Sequence, residues 1–311
     1  MPFSIVNVST WSAYRDEQMG SKTKLWVLDE QNRRWLFKER RHQHGEDWSE
    51  KLAAEIAETL GIRHAAVEIA ARNQVAGSIS LDFLGSRSSI QLMHGNELLV
   101  QLDSSYPAKG ANFRISQHTV DKALSVLRQD FISLGVNPQR PAGITSPVAE
   151  FVGYLMLDAL IGNTDRHHEN WAIVVQQTGP QQTAIAELAP TFDHASSLGR
   201  ELGDDDRARR LSGQKAAPTF ESYWRKMPSR WYRDPGNKRP LHPMAAFRVA
   251  AARFPQPAEI WQRQLELLTD PVISSLTDSL PPPVCSDPAR QFAARMLRFG
   301  KEQLLNPKSF T

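Results

Sequence analysis

At 311 residues, with 41% hydrophobic and 23% charged residues, the chain holds enough apolar material for a sizeable core, which excludes wholesale disorder. Its 37 basic and 34 acidic residues leave a net charge of +3, too even a balance to mark a nucleic-acid-binding surface by itself. The single cysteine, Cys285, cannot form an internal disulfide and favours a reducing compartment, the cytoplasm. The N-terminus lacks the pattern of an export signal, and no run of about 18 apolar residues offers a membrane span.

In chain order, residues 25–28 and 34–37 have the apolar and aromatic content of two short strands joined by the polar turn 29–32, with Lys38 at the far end of the hairpin. A helix is expected over 47–60, because Leu52, Ala53, Ile56, Ala57 and Leu60 recur at helical spacing and Gly61 stops them. Residues 65–71 and 89–101 look extended, the second interrupted by the turn-like His94-Gly95-Asn96. Helices follow over 119–134 and 146–161. The second has Ser146 as N-cap, Pro147 at the first helical position, one continuous apolar face and Gly162 as its stop. Residues 171–175 and 184–188 are strand-like and flank the turn 178–180, so a hairpin succeeds the polar run 163–170. Helices fill the last hundred residues, and Pro281-Pro282-Pro283 sets the final one, 288–305, apart. The expected class is α+β with two lobes, a small β-rich N-lobe over 1–100 carrying one helix and a larger, mainly helical C-lobe over 101–311.

Chemistry concentrates in Asn163-Thr164-Asp165-Arg166-His167-His168-Glu169-Asn170, a polar loop between a buried helix and a strand. Asp165 and Asn170 stand at the separation of the aspartate and asparagine in the kinase catalytic loop H-R-D-x-x-x-x-N. Asp193, in Thr191-Phe192-Asp193-His194 at the end of the hairpin, returns beside the hairpin's beginning, where a second metal carboxylate is needed. Phosphoryl transfer asks the protein chiefly for positioning and charge neutralisation. An Asn amide oxygen and an Asp carboxylate suit Mg²⁺, a hard cation, and Asp165 would take the proton of the attacking hydroxyl.

A kinase also needs a strand lysine for the phosphates of ATP and a helical glutamate to hold it. Lys38 ends its strand, and among the acids of the following helix Glu50 borders the apolar stripe whereas Glu55 and Glu58 point away. Asp47-x-x-Glu50 could equally be a variant capping box. The short loop Met19-Gly20-Ser21-Lys22-Thr23 is small enough to approach phosphates through its backbone, with Gly20 and Ser21 closest to the expected cofactor. His167, His168 and His194 with Asp165 and Asp193 pose an alternative, a metal-dependent phosphohydrolase, which leaves Lys38 and Glu50 without a purpose. The charged stretch Asp204-Asp205-Asp206 with Arg207, Arg209 and Arg210 is either a solvated helix or a strip that meets a protein substrate.

With these residues assembled, the chain resembles the HipA-like serine/threonine kinases of bacterial toxin–antitoxin modules, which share distant catalytic features with phosphatidylinositol kinases. Residues 158–171 and 188–199 carry the resemblance most specifically. It implies a protein-kinase-like fold, ATP and Mg²⁺ as cofactors, Asp165 as catalytic aspartate, Asn170 and Asp193 as metal ligands, and Lys38 and Glu50 as the ATP-site pair. It further implies autophosphorylation in the glycine-rich loop, for which Ser21 and Thr23 are the available hydroxyls. A protein substrate, among family members an aminoacyl-tRNA synthetase, and an antitoxin are the partners it implies. Only some twenty residues precede the loop, so the chain is similar to the short forms, whose N-terminal subdomain is absent or supplied by another chain. A lipid or small-molecule kinase shares the same chemistry, but no basic amphipathic helix speaks for a membrane and no recognisable motif for direct nucleic-acid binding.

Overall fold

The computed structural model describes residues 2–16, 24–42, 44–85, 89–107, 114–177, 184–214 and 218–306. The expected loop around Gly20, Ser21 and Thr23 and the turn at 178–180 lie outside them.

A first sheet is built from β1 (Ile5–Asn7), β2 (Ser12–Asp16), β3 (Lys24–Leu28), β4 (Arg34–Glu39), β5 (Val67–Arg72) and β6 (Val75–Leu81), in the spatial order β1-β5-β6-β4-β3-β2. All its pairings are antiparallel except β1 with β5. Alternation in β3 and β4 sends Val27, Trp35 and Phe37 into a small core with Val8, Ala70 and Ile79. The helix α1 (Glu46–Thr59) packs on β5 and β6 through Leu52, Ala53, Ile56 and Ala57, the residues whose spacing predicts it.

The rest of the chain forms a larger lobe around α4 (Pro147–Ile161), which follows β7 (Ile90–His94), α2 (Gly95–Leu102), α3 (Val120–Leu127) and β8 (Ile132–Ser133). β9 (Ala172–Gln176) and β10 (Ile185–Leu188) pair antiparallel and complete a second sheet in the order β7-β9-β10-β8. Every residue of α4 is buried. That enclosure is why apolar residues occupy all its sides, and its two acids, Glu150 and Asp158, each meet an arginine, Arg140 and Arg166. The helices α5 (Asp204–Leu211), α6 (Phe220–Arg225), α7 (Pro243–Arg253), α8 (Pro255–Gln264), α9 (Asp270–Asp278) and α10 (Asp287–Leu305) enclose it, with α7, α8 and α10 lying directly on α4.

The two lobes are also stitched together away from the cleft. Phe3 N–H donates to Ser279 O at 2.7 Å, Arg40 Nη1 to Val284 O at 3.2 Å, and α1 touches α9.

Four expectations change. Residues 89–101 are not extended throughout: β7 ends at His94, and α2 begins where a turn was expected. Gly95 is needed there because a Cβ would come within 2.2 Å of the Trp171 ring. The helix expected over 119–134 stops at Leu127, and Ile132–Ser133 becomes a strand beside β10. β1, β2 and β6 were not expected. The expected lobe limit near residue 100 falls inside α2, and β7 pairs with β9 of the second sheet.

Candidate active site

Between the two sheets runs a cleft lined by Lys38, Ser80, Asp82, Phe83 and Leu84 on one side and by Leu92, His167, Asn170, Phe192 and Asp193 on the other. The connection after β6 therefore supplies part of the wall; Leu92 and His94 also line the cleft, whereas α2 does not.

Lys38, on β4, is buried and its Nζ stands 3.0 Å from Glu50 Oε1 and 3.1 Å from Asp193 Oδ1. Burial alone would favour the neutral amine, but the two carboxylates hold its pKa above the ordinary lysine value, so the charge persists. Glu50 is placed by α1 and also receives Ser78 Oγ–H from β6 at 3.4 Å. The helical face decides among the acids: Glu55 pairs with Lys51, and Glu58 with His64 and Gln139. No capping box involves Glu50, since the N-cap of α1 is Gly45, and Asp47 accepts instead from Trp48 N–H and meets Arg40.

The loop 163–170 is rigid for reasons visible in its hydrogen bonds. Gly162 ends α4 in the left-handed conformation at φ 65°, turning the chain sharply into the loop. Asn163 Nδ2–H then donates back to Asp158 Oδ1, and Asp165 N–H donates to Asn163 Oδ1. Arg166 is the central brace: both its Nε and Nη2 grip Asp158 at 2.8 Å, while Nη1 reaches Asn170 O at 2.7 Å and Phe192 O at 3.2 Å. One guanidinium thus fixes helix, loop and the residue preceding Asp193 together.

Within that frame Asn170 Nδ2–H donates to Asp165 O at 2.8 Å, which leaves Oδ1 of the amide as its acceptor end. Asp193 has a positive φ of 57°, a conformation a non-glycine residue keeps only when its surroundings impose it. Two oxygen donors, Asn170 Oδ1 and the Asp193 carboxylate, fit Mg²⁺, which takes one or two protein ligands and fills the rest with phosphate oxygens and water. Asp165 receives Arg230 Nε–H on Oδ1 at 2.9 Å. Burial pushes its pKa up, against the pull of Arg230, which makes it a stronger base when ionised.

The histidines are occupied separately. His168 Nδ1 lies 2.8 Å from Tyr106 Oη, His194 Nε2 lies 2.8 Å from Thr191 Oγ1, and His167 borders the cleft. Burial lowers the pKa of His167 to about 3 and of His168 to about 4, so both are neutral. Among the described residues no three His, Cys, Asp or Glu side chains cluster as a metal site. Sequence reasoning missed Arg230 and the Asp158–Arg166 brace; an arginine one residue after Asp165 was the only available signal for the latter.

A small sheet with one helix over a larger helical lobe, with the cleft between them, is the architecture of protein-kinase-like folds. The sequence profile of the HipA-like C-terminal domain matches residues 18–234, more than half of the chain, and the chain belongs to that family. No curated protein sequence matches significantly. Among solved structures, the Helicobacter pylori proinflammatory kinase CtkA is similar in fold, with a TM-score of 0.72 at 16% identity over 96% of this chain and 95% of that one. The Shewanella oneidensis MR-1 HipA, in a complex with HipB and operator DNA, matches at 12% identity and a TM-score of 0.48, over 94% of this chain and 66% of that one. Among the described residues no helix is long and apolar enough to cross a membrane.

Removing the Asp193 carboxylate should weaken nucleotide binding in a magnesium-dependent way. Titration calorimetry of Asp193→Ala is expected to show a higher Kd for MgATP and a smaller difference between MgATP and metal-free ATP; unchanged MgATP affinity would exclude the ligand role.

Proposed function

We propose that the protein is an ATP- and Mg²⁺-dependent kinase that phosphorylates a serine or threonine hydroxyl of a protein. The observation that carries this reading is the bridging of one cleft by Lys38, which contacts Glu50 and Asp193 within 3.1 Å, with Asn170 on the same wall as Asp193 and itself bonded to Asp165. Lys38 binds phosphate oxygens of ATP, and Glu50 keeps it pointed into the cleft. Mg²⁺, held by Asn170 and Asp193, would supply neutralisation of the phosphate charge. Asp165 orients the acceptor hydroxyl and takes its proton as the acceptor oxygen bonds to the γ-phosphorus and the bond to the β,γ-bridging oxygen breaks, releasing ADP. Arg230 aligns the carboxylate, and neutral His167 leaves the site without an extra positive charge.

Incubation with ATP labelled in the γ-phosphate, Mg²⁺ and a cytoplasmic extract tests the reading: label should enter protein and withstand conditions that hydrolyse acyl phosphates. Label appearing only in extracted lipid or a small molecule would move the assignment to that class of kinase, and label appearing only as inorganic phosphate would remove it. Membership of the HipA-like family supports the two further expectations of an antitoxin partner and of autophosphorylation. Phosphate mapped by mass spectrometry to Ser21 or Thr23 after incubation with MgATP, with activity falling in proportion, is the expected result for the second. No phosphate between Met19 and Lys24, or full activity of the modified protein, would contradict it.

A further inference from the structure

A second groove opens beside Asp165, at the arginine that pairs with its carboxylate. Its rim carries Arg114, Arg200, Arg210, Lys226 and Arg230, with Glu201 as the acidic residue among the described lining. Asp165 connects the two hollows, because its backbone carbonyl accepts from Asn170 of the nucleotide cleft and its carboxylate accepts from Arg230 of this groove. Thr164, the neighbour of Asp165, lines the groove as well.

Among the described residues, two of the five cations have a carboxylate to hold: Arg200 pairs with Glu46 and Arg230 with Asp165. Arg114 and Lys226 are exposed, and neither has a carboxylate within salt-bridge distance among the described residues. Arg210 lies over the Tyr223 ring at 5.3 Å, and its Nε is buried without a hydrogen-bond partner. Glu201, which accepts from Tyr223 Oη at 2.7 Å, offsets one of these charges and leaves the cations in excess. A concave surface with excess positive charge against the acceptor base concentrates anions where the hydroxyl must arrive.

Resting on the kinase reading above, we infer that this groove selects a polypeptide acceptor whose serine or threonine is flanked by acidic side chains. The groove's aromatic residue, Tyr223, is covered by Arg210 on its face and set edge-on against Phe292 at 5.5 Å, so it offers no platform for stacking a nucleic-acid base. Pro218, Met227 and Pro228 supply the short apolar floor that an extended peptide packs on between its charged contacts. Acidic side chains meet Arg114, Arg210 and Lys226, and the hydroxyl between them reaches Asp165.

The test uses fluorescent peptides carrying one serine flanked by glutamates, alanines or lysines, with an oligoribonucleotide of equal negative charge as a fourth probe. Fluorescence anisotropy of the full chain at low salt is expected to show the glutamate peptide binding about tenfold more tightly than the alanine peptide, with the difference shrinking as salt rises. The double charge reversal Arg114→Glu with Lys226→Glu, both at exposed positions and checked for folding by circular dichroism, should erase that preference. In labelled-ATP assays the same change should raise KM for the glutamate peptide more than it lowers kcat. Equal binding of all peptides, preference for the lysine peptide, tighter binding of the oligoribonucleotide, or indifference to the double reversal would each overturn the inference. Calorimetry with MgATP on the same preparation separates the two levels: a protein that binds the glutamate peptide but not MgATP loses the kinase reading and keeps the groove assignment.

Discussion

Asp165→Asn is expected to lower kcat for phosphate transfer by about 100- to 10,000-fold, the usual contribution of a positioned general base. Asparagine keeps the size of the side chain and an oxygen that can accept from Arg230, so the loop should hold its shape. The Asp165 carbonyl that receives Asn170 Nδ2–H belongs to the backbone and is unaffected. MgATP affinity, measured by calorimetry, should therefore stay within about threefold of the parent value, since the lost carboxylate acts on the acceptor and not on the nucleotide. The pH profile offers a second readout. A base works only when ionised, so the parent rate falls as pH drops through its pKa, which burial places above the ordinary aspartate value of 3.8. That acid limb should vanish from whatever activity the variant keeps, and near-parental turnover by a folded variant would falsify the assignment.

Asp158→Ala should be the most damaging single change to stability, because it leaves the Arg166 guanidinium charged, buried and deprived of its carboxylate. The two side chains are 4% and 1% exposed, so solvent cannot take the place of the lost partner. Breaking a buried pair by removing one member costs about 3–5 kcal/mol, which urea denaturation would read as a large fall in midpoint at constant slope. The double variant Asp158→Leu with Arg166→Met separates stability from function. It removes both charges and should recover most of the midpoint, yet phosphate transfer should remain low, because Arg166 also ties Asn170 O and Phe192 O together. Restored transfer in the double variant would show that the brace matters for stability alone.

Periodicity made the large apolar elements legible. α1 and α4 extend within one residue of their expected limits, since long stripes closed by Gly61 and Gly162 leave little choice of register. The strands that went unseen lack such contrast: β6 is Val75-Ala-Gly-Ser-Ile-Ser-Leu81, with small residues where a β-branched run would announce a strand, and β1 spans three residues. β1 exists only because β5 is there to pair with it, which is tertiary information. In α2, Gly95 and Asn96 carry turn chemistry, and the helix forms regardless because His94 N–H is received by Glu97 and Trp171 needs the space beside Gly95. The site divides along the same line. Residues close in sequence or on one helical face, Asp165 with Asn170 and Lys38 with Glu50, could be paired by spacing, whereas Arg230 reaches Asp165 across 65 positions through helices whose packing no local pattern encodes.

The hydrogen bond from Phe3 to Ser279 and that from Arg40 to Val284 bear on how the molecule is made. On a ribosome the first sheet emerges early, but Val284 lies 244 positions after Arg40, so these anchors and the α9 surface beneath α1 leave the exit tunnel long afterwards. Closing such wide loops orders little chain locally and costs more entropy than a nearby contact. The first sheet and α1 thus wait for their last supports until α9 and Val284 are free. A nascent chain of this form would be assembled late, as a unit, and the first lobe would not be completed ahead of the second.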